Sequence, residues 1–108
     1  MIDFNTPFTD QDGEVIKQNF KTGKIVDGEL KETNEYREVI LEDIARATLL
    51  KSDDEDDPNE ILQRYQLFRK IFHKGKVKLA DKEKTLLKKY ICRNTDVIIA
   101  GQALEIIN

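Results

Sequence analysis

The stretch PNEILQRYQLFRKIFH, residues 58–73, carries the clearest structural pattern in this chain of 108 residues. Apolar side chains recur in it at intervals of three and four residues, along one line of a helix: Ile61, Tyr65, Phe68 and Phe72, widened by Leu62 and Ile71. Asp57 can cap this helix, and Pro58 suits its first position because no backbone hydrogen bond is lost there. Gly75 is typical of a helix end. We therefore predict a central helix over residues 58–73 whose apolar line faces the core.

Three more helices are predicted around this one. The first has an apolar stripe made of Leu41, Ile44, Ala45, Thr48 and Leu49. The next is capped by Asp81, ends near Arg93 and has an inner face made of Leu86, Leu87, Tyr90 and Ile91. The last covers Val97 to Ile107, after a turn and cap at residues 94–96, and is apolar on most of its circumference. We expect this last helix to be either enclosed by the others or covered in part by a second chain.

Residues 1–40 lack a helical period and are interpreted as extended chain and turns. Asp12-Gly13 and Asp27-Gly28 suit tight turns between strands, because glycine accepts a positive φ and aspartate tolerates it. The segment can form one or two hairpins or a poorly ordered arm. The predicted fold class is mainly α, a small bundle of about four helices with an N-terminal β-hairpin-like arm, with α+β as the alternative. We expect one domain over residues 1–108, with an arm at 1–40 and a helical core at 41–108.

Size and composition favour a small soluble protein. Of the 108 residues 36% are charged and 39% are hydrophobic, which fits a single domain. No apolar run approaches the roughly 18 to 20 residues that cross a bilayer, and Met1 to Asp10 holds two acids and no base, unlike a signal peptide. The single cysteine, Cys92, excludes an intramolecular disulfide and a multi-cysteine zinc site. We expect a cytoplasmic protein with no membrane partner.

The formal net charge of −3 conceals an uneven distribution. Residues 1–57 hold 16 acids and 7 bases, a net charge of −9, whereas residues 58–108 hold 11 bases and 5 acids, a net charge of +6. A chain with one acidic and one basic part can associate head-to-tail or dock a partner through complementary surfaces.

No catalytic or cofactor-binding motif is recognisable in the sequence. The acidic stretches do not fit an EF-hand loop, since the twelfth place would hold Asn19 or Arg64 where a glutamate is needed. The only histidine, His73, lies near a predicted helix end, where a cation is favourable, and Cys92 has no companion histidine in any local pattern. Glycine-rich phosphate loops and nucleophile elbows are absent from the sequence. We therefore expect a non-enzymatic protein with no metal and no cofactor.

Two charged clusters supply the candidate binding residues. The first can contact nucleic-acid phosphates or an acidic partner and consists of Lys74, Lys76, Lys78, Lys82, Lys89 and Arg93. The second is an acidic run that can contact a basic partner and consists of Asp53, Asp54, Glu55, Asp56 and Asp57. The aromatic residues near the basic cluster lie on predicted core faces, so no stacking platform for single-stranded nucleic acid is expected.

The order of four segments, Asp3 to Gly13, Leu41 to Leu50, Arg64 to Ile71 and Ile98 to Leu104, resembles small uncharacterised proteins of tailed bacteriophages and prophages. The resemblance covers most of the chain. It implies an accessory, assembly or host-modulating protein in the host cytoplasm or the virion, with no catalytic residues to carry over.

The favoured function is that of a non-enzymatic interaction protein that binds another protein or itself. The alternative is a nucleic-acid-binding regulator that uses the basic surface of residues 64–93. A third interpretation is that the acidic half mimics nucleic acid and binds a basic host protein.

Overall fold

Four helices form where the sequence predicts them. A computed structural model of the chain describes residues 1–51 and 57–108, without the side chains of Thr22, Lys24 and Val26. Within that part the helices are α1 (Leu41–Leu49), α2 (Pro58–Ile71), α3 (Asp81–Asn94) and α4 (Val97–Ile107). The predicted caps Asp57 and Asp96 are confirmed, since their carboxylates accept hydrogen bonds from Asn59 N at 3.0 Å and Ile99 N at 2.9 Å.

Two details of the helix ends differ from the prediction. The cap of α3 is Ala80 and not Asp81, because Glu83 reaches back and accepts a hydrogen bond from Ala80 N at 2.9 Å. Helix α2 ends at Ile71, and His73 adopts a left-handed φ of 58°. That conformation is held by the His73 amide, which donates a hydrogen bond to the Glu42 carboxylate.

Four strands pair in two antiparallel sheets within the described residues. Strands β2 (Lys17–Val26) and β3 (Glu29–Glu38) form a long hairpin, and β1 (Ile2–Asp3) pairs with β4 (Lys76–Val77). The hairpin turn is the predicted Asp27-Gly28 pair, with φ angles of 53° and 80°. Both central residues at positive φ are typical of a type I′ turn, whose twist matches that of the strands it joins.

The predicted mainly α class is wrong, and the fold is α+β. The N-terminal segment is not an arm, because Phe4 and Phe8 are fully buried in the same core as the helices. Its backbone is also bound across the chain: Phe4 N donates to Gly75 O at 2.8 Å. The side-chain amide of Gln102 on α4 accepts from Thr9 N at 2.9 Å and donates to Thr9 O at 2.7 Å.

The hairpin projects from this body. Of the ten residues of β3, only Arg37 is partly covered. At about 3.4 Å per residue, the ten residues of each strand span about 34 Å. The turn therefore lies far from the base, where Arg37 joins the hairpin to α1.

The predicted core face of α2 is correct at Ile71, which is buried, and at Phe68, which packs against the core, but it is wrong in the first half of the helix. The buried residues of α2 are Arg64, Leu67 and Ile71, whereas Phe68 and Phe72 are only half-buried. Ile61, Leu62 and Tyr65 are between 41 and 53% exposed. The helix is rotated so that Arg64, which is 3% exposed, points inward. Its guanidinium donates to Lys51 O at 2.6 Å and lies 4.6 Å from the centre of the Tyr90 ring.

Helix α4 lies at the edge of the core. Only Ala103 and Ile107 are fully buried in α4, and Val97 is 88% exposed. The other helices therefore do not enclose it, and the predicted cover by a second chain stays a prediction.

We expect the substitution Arg64→Ala to lower the free energy of unfolding by about 2 kcal/mol, since it removes a charged hydrogen bond to a carbonyl beside a buried ring. Arg69→Ala is the matched control on the same helix, and because Arg69 is exposed its effect should stay within about 0.5 kcal/mol. Urea denaturation of the two variants and the wild type measures the difference. Equal effects would contradict the role given to Arg64.

Candidate functional site

Five side chains meet where the hairpin joins the helices, and we call them the hairpin-base cluster: Arg37, Glu42, Asp43, Arg46 and His73. They lie beside an open groove of about 800 Å³ between the hairpin and the α1 and α2 ends. Glu42 and Asp43 are 7 and 8% exposed, although both are charged residues in the first turn of α1. Buried carboxylates need partners, and the cluster provides them.

Arg37 and Asp43 form its central ion pair. Two guanidinium nitrogens of Arg37 donate to the two Asp43 oxygens, each at 2.8 Å, and Ile40 N donates to the same carboxylate at 3.0 Å. Burial alone would raise the pKa of Asp43, but these hydrogen bonds outweigh it and lower that pKa. The hydrogen bond to Asp43 raises the pKa of Arg37. The two-point contact orients the hairpin, because Arg37 lies on β3 and Asp43 on α1.

Glu42 and Arg46 join the end of α2 to the same place. The Glu42 carboxylate accepts from His73 N, and Arg46 lies 3.5 Å from Glu42 and 3.8 Å from Asp43. The Arg46 guanidinium also lies 5.3 Å from the centre of the Phe72 ring. Both acids are thus engaged by cations or amides. The cluster therefore connects β3, α1 and the end of α2.

A second groove lies between α2 and α3, and we call it the α2–α3 groove. It has a volume of about 570 Å³. Its two apolar lining residues are Leu67, which is buried, and Leu86, which is partly buried. Its remaining lining is polar or charged: Gln63, Gln66, Lys70, Lys82, Glu83, Thr85 and Lys89. An apolar base with a polar margin is typical of a surface that binds another protein.

Ion pairs hold the two helices together on either side of this groove. Lys70 lies 2.8 Å from Glu83, and Lys89 lies 2.9 Å from Glu60. The Tyr90 hydroxyl also donates to Glu60, and the hydrogen bonds from Tyr90 and Lys89 lower the pKa of Glu60. Burial and the hydrogen bond to Glu60 raise the pKa of the Tyr90 hydroxyl. Within the described residues Lys82 makes no ion pair, so its charge is available to a partner.

The predicted basic residues are all exposed, but the structure does not place them on one surface. Lys82 and Lys89 line the α2–α3 groove, whereas Lys78 lines a different depression beside Met1 and Asn108. Lys74 and Lys76 flank Gly75 in the link after α2, and Arg93 follows at the end of α3. Of the predicted acidic run, Asp57 is exposed and caps α2, while Asp53, Asp54, Glu55 and Asp56 lie outside the described residues.

The end of the hairpin carries exposed apolar side chains that the sequence analysis did not single out. Ile25 and Leu30 pair directly across the two strands and are 78 and 70% exposed. This pair could have been predicted from the sequence, because a two-residue turn at Asp27-Gly28 leaves Ile25 and Leu30 opposite each other on one face. Arg37 and Asp43 were also missed, since nothing local in the sequence shows that they pair.

Comparison of the chain with known protein families, with characterised proteins and with solved structures found no match. Over residues 1–51 and 57–108, no helix combines the length and apolar character required to cross a bilayer. The same residues contain no group of three or more His, Cys, Asp or Glu side chains arranged to hold a metal ion.

We expect Asp43→Asn to lower the free energy of unfolding by about 2 kcal/mol at pH 7, because it weakens the charged contact with Arg37. The pKa of Asp43 is lowered in the folded protein, so its stabilising contribution is present above the unfolded value of about 3.9 and is lost as the pH falls through the folded value. The difference between variant and wild type should thus shrink below about pH 4.

Urea denaturation at a series of pH values measures this difference. Glu105→Gln is the control, since Glu105 is an exposed acid on α4, and its effect should stay within about 0.5 kcal/mol throughout. A difference for Asp43→Asn that does not change with pH would contradict the ion pair as its source.

Proposed function

We propose that this chain is a non-enzymatic interaction protein that binds another protein or a second copy of itself. The observation that carries the proposal is the exposure of large apolar side chains in two groups. One group is at the hairpin end, Ile25 and Leu30, and the other is on the outer face of α2. Contiguous apolar patches on a small protein typically mark interaction sites.

The outer face of α2 has the composition of an interface. Ile61, Leu62 and Tyr65 lie within two turns of the helix, and the Arg69 guanidinium lies 5.8 Å from the centre of the Tyr65 ring. Tyrosine and arginine are enriched at the energetically dominant positions of protein interfaces, and aliphatic neighbours exclude water around them. The sequence predicted that these side chains would be buried in the core. Because they are exposed instead, this face supports protein binding.

The resemblance to small phage and prophage proteins supports the biological setting of this proposal. It favours an accessory, assembly or host-modulating role in the cytoplasm of a bacterial host or in a virion. A partner in that setting is a protein, and the chain acts on it by binding.

Nucleic-acid binding is the second candidate, and one observation favours it. Lys74, Lys76 and Lys78 are exposed in one short segment around β4. The placement of Lys78 and Lys82 on different depressions weighs against a single phosphate-binding face. A gel-shift titration at low salt separates the candidates, and tight binding that weakens steeply with added salt would favour this one.

The test of the first candidate uses a variant of the outer α2 face, Ile61→Gln, Leu62→Gln and Tyr65→Gln, with Asn59→Gln as the control on the same helix. Burying one such apolar side chain is worth about 1.5 kcal/mol or more, so the variant should lose at least about tenfold in affinity for a protein partner. Capture of proteins on the immobilised wild type and variant measures binding of another protein. Light scattering over a range of concentrations measures self-association.

We expect the wild type and the Asn59→Gln control to retain the same protein or to self-associate equally. The proposal would be overturned if the wild type stays monomeric and captures no protein specifically. Specific capture means that the protein is lost when either the outer face of α2 or the pair Ile25 and Leu30 is replaced.

A further inference from the structure

Two complementary features lie on this chain without meeting in it. The first is the hairpin tip, residues 25–30, which is closed by the apolar pair Ile25 and Leu30. The second is the α2–α3 groove, with Leu67 and Leu86 at its base. Because Ile25 and Leu30 are 78 and 70% exposed, the tip does not occupy the groove of its own chain.

The charges of the tip and the groove are opposite. The hairpin tip holds two acids, Asp27 and Glu29, and no base. The lining of the α2–α3 groove holds three bases and one acid, Lys70, Lys82, Lys89 and Glu83. The two surfaces thus carry formal charges of −2 and +2 around apolar centres. Such complementarity selects a partner and orients it.

The hairpin is also held in a fixed direction. The two-point contact between Arg37 and Asp43 binds its base to α1, and the Arg37 guanidinium lies 3.8 Å from the centre of the Phe20 ring on the neighbouring strand. The tip is therefore presented away from the body before any partner arrives. A pre-organised element loses less conformational entropy on binding than a mobile one.

We propose that the hairpin tip of one chain docks in the α2–α3 groove of a second copy. This inference rests on the self-binding part of the proposed function. Ile25 and Leu30 pack against the partly buried Leu86, and the acids of the tip lie against Lys82, whose charge is unpaired within the described residues. The contact is head-to-tail, so each copy in a pair retains one free tip or one free groove, and further copies can add to form rings or filaments.

Two variants test the two sides of this contact separately. The tip variant is Ile25→Thr with Leu30→Thr, which keeps strand-forming residues but removes the apolar pair, and its control is Asn34→Thr on the same hairpin face. The groove variant is Lys82→Glu with Gln66→Glu, one change on each wall. Its control is Lys84→Glu with Gln18→Glu, which makes the same change of charge outside the groove.

Sedimentation velocity over a range of concentrations measures association. We expect the wild type and both controls to associate, and each variant alone to bind itself at least tenfold more weakly. An equimolar mixture of the two variants should form a two-chain species and nothing larger, because only the groove of the tip variant and the tip of the groove variant remain intact. Added salt should weaken the association, since charges contribute to it.

Circular dichroism and thermal melting establish that the variants are folded, so that loss of association reports on the contact. Association of both variants as strong as that of the wild type, or a mixture that stays monomeric, would overturn this inference. A wild type that is monomeric at every concentration would also overturn it. In that case specific capture that depends on the outer α2 face would still support the proposed function, so the two failures are distinguishable.

Discussion

The first turn of α1 is the joint on which the rest of the fold depends. Its backbone donors are satisfied by the N-terminal segment, since Leu41 N donates to Thr6 O and Glu42 N donates to Phe4 O, each at 3.0 Å. Helix N-termini leave such donors without intrahelical partners, and their partial positive charge favours acids. The carboxylates of Glu42 and Asp43 use that position to bind the end of α2 and the base of the hairpin. One helix turn thus fixes three other elements of the chain.

The contacts of this turn hold the N-terminal segment in the core and fix the base of the hairpin. Most ion pairs in the described residues connect two residues of the same half of the chain, such as Arg37 with Asp43 and Lys70 with Glu83. Apart from the contact of His73 with Glu42, none of these pairs joins the acidic half to the basic half. The uneven charge distribution of the sequence is therefore not cancelled by ion pairs within the described part of the chain.

Sequence reasoning located the helices, because their period and the caps Asp57 and Asp96 are local signals. It predicted the buried Ile71 of α2 correctly but also placed Ile61, Leu62 and Tyr65 in the core. The stripe that is buried includes Arg64, and an arginine is typical of a surface position. Burial of the N-terminal segment could not be predicted either, because it depends on contacts between residues that are far apart in sequence, such as Phe4 and Gly75. Of the candidate site, the hairpin tip follows from a local turn and could be predicted, whereas the α2–α3 groove exists only once two helices pack.

A long two-stranded hairpin with both edges unpaired is marginally stable alone and prone to pair with other strands. This hairpin limits that risk with charges along its length, for example Lys17 opposite Glu38 at its base. Its stability comes from the two ends: a turn at Asp27-Gly28 that matches the strand twist, and the Arg37 contacts at the base. The charges along the strands thus oppose pairing at the edges, while Ile25 and Leu30 give the end of the hairpin an exposed apolar surface.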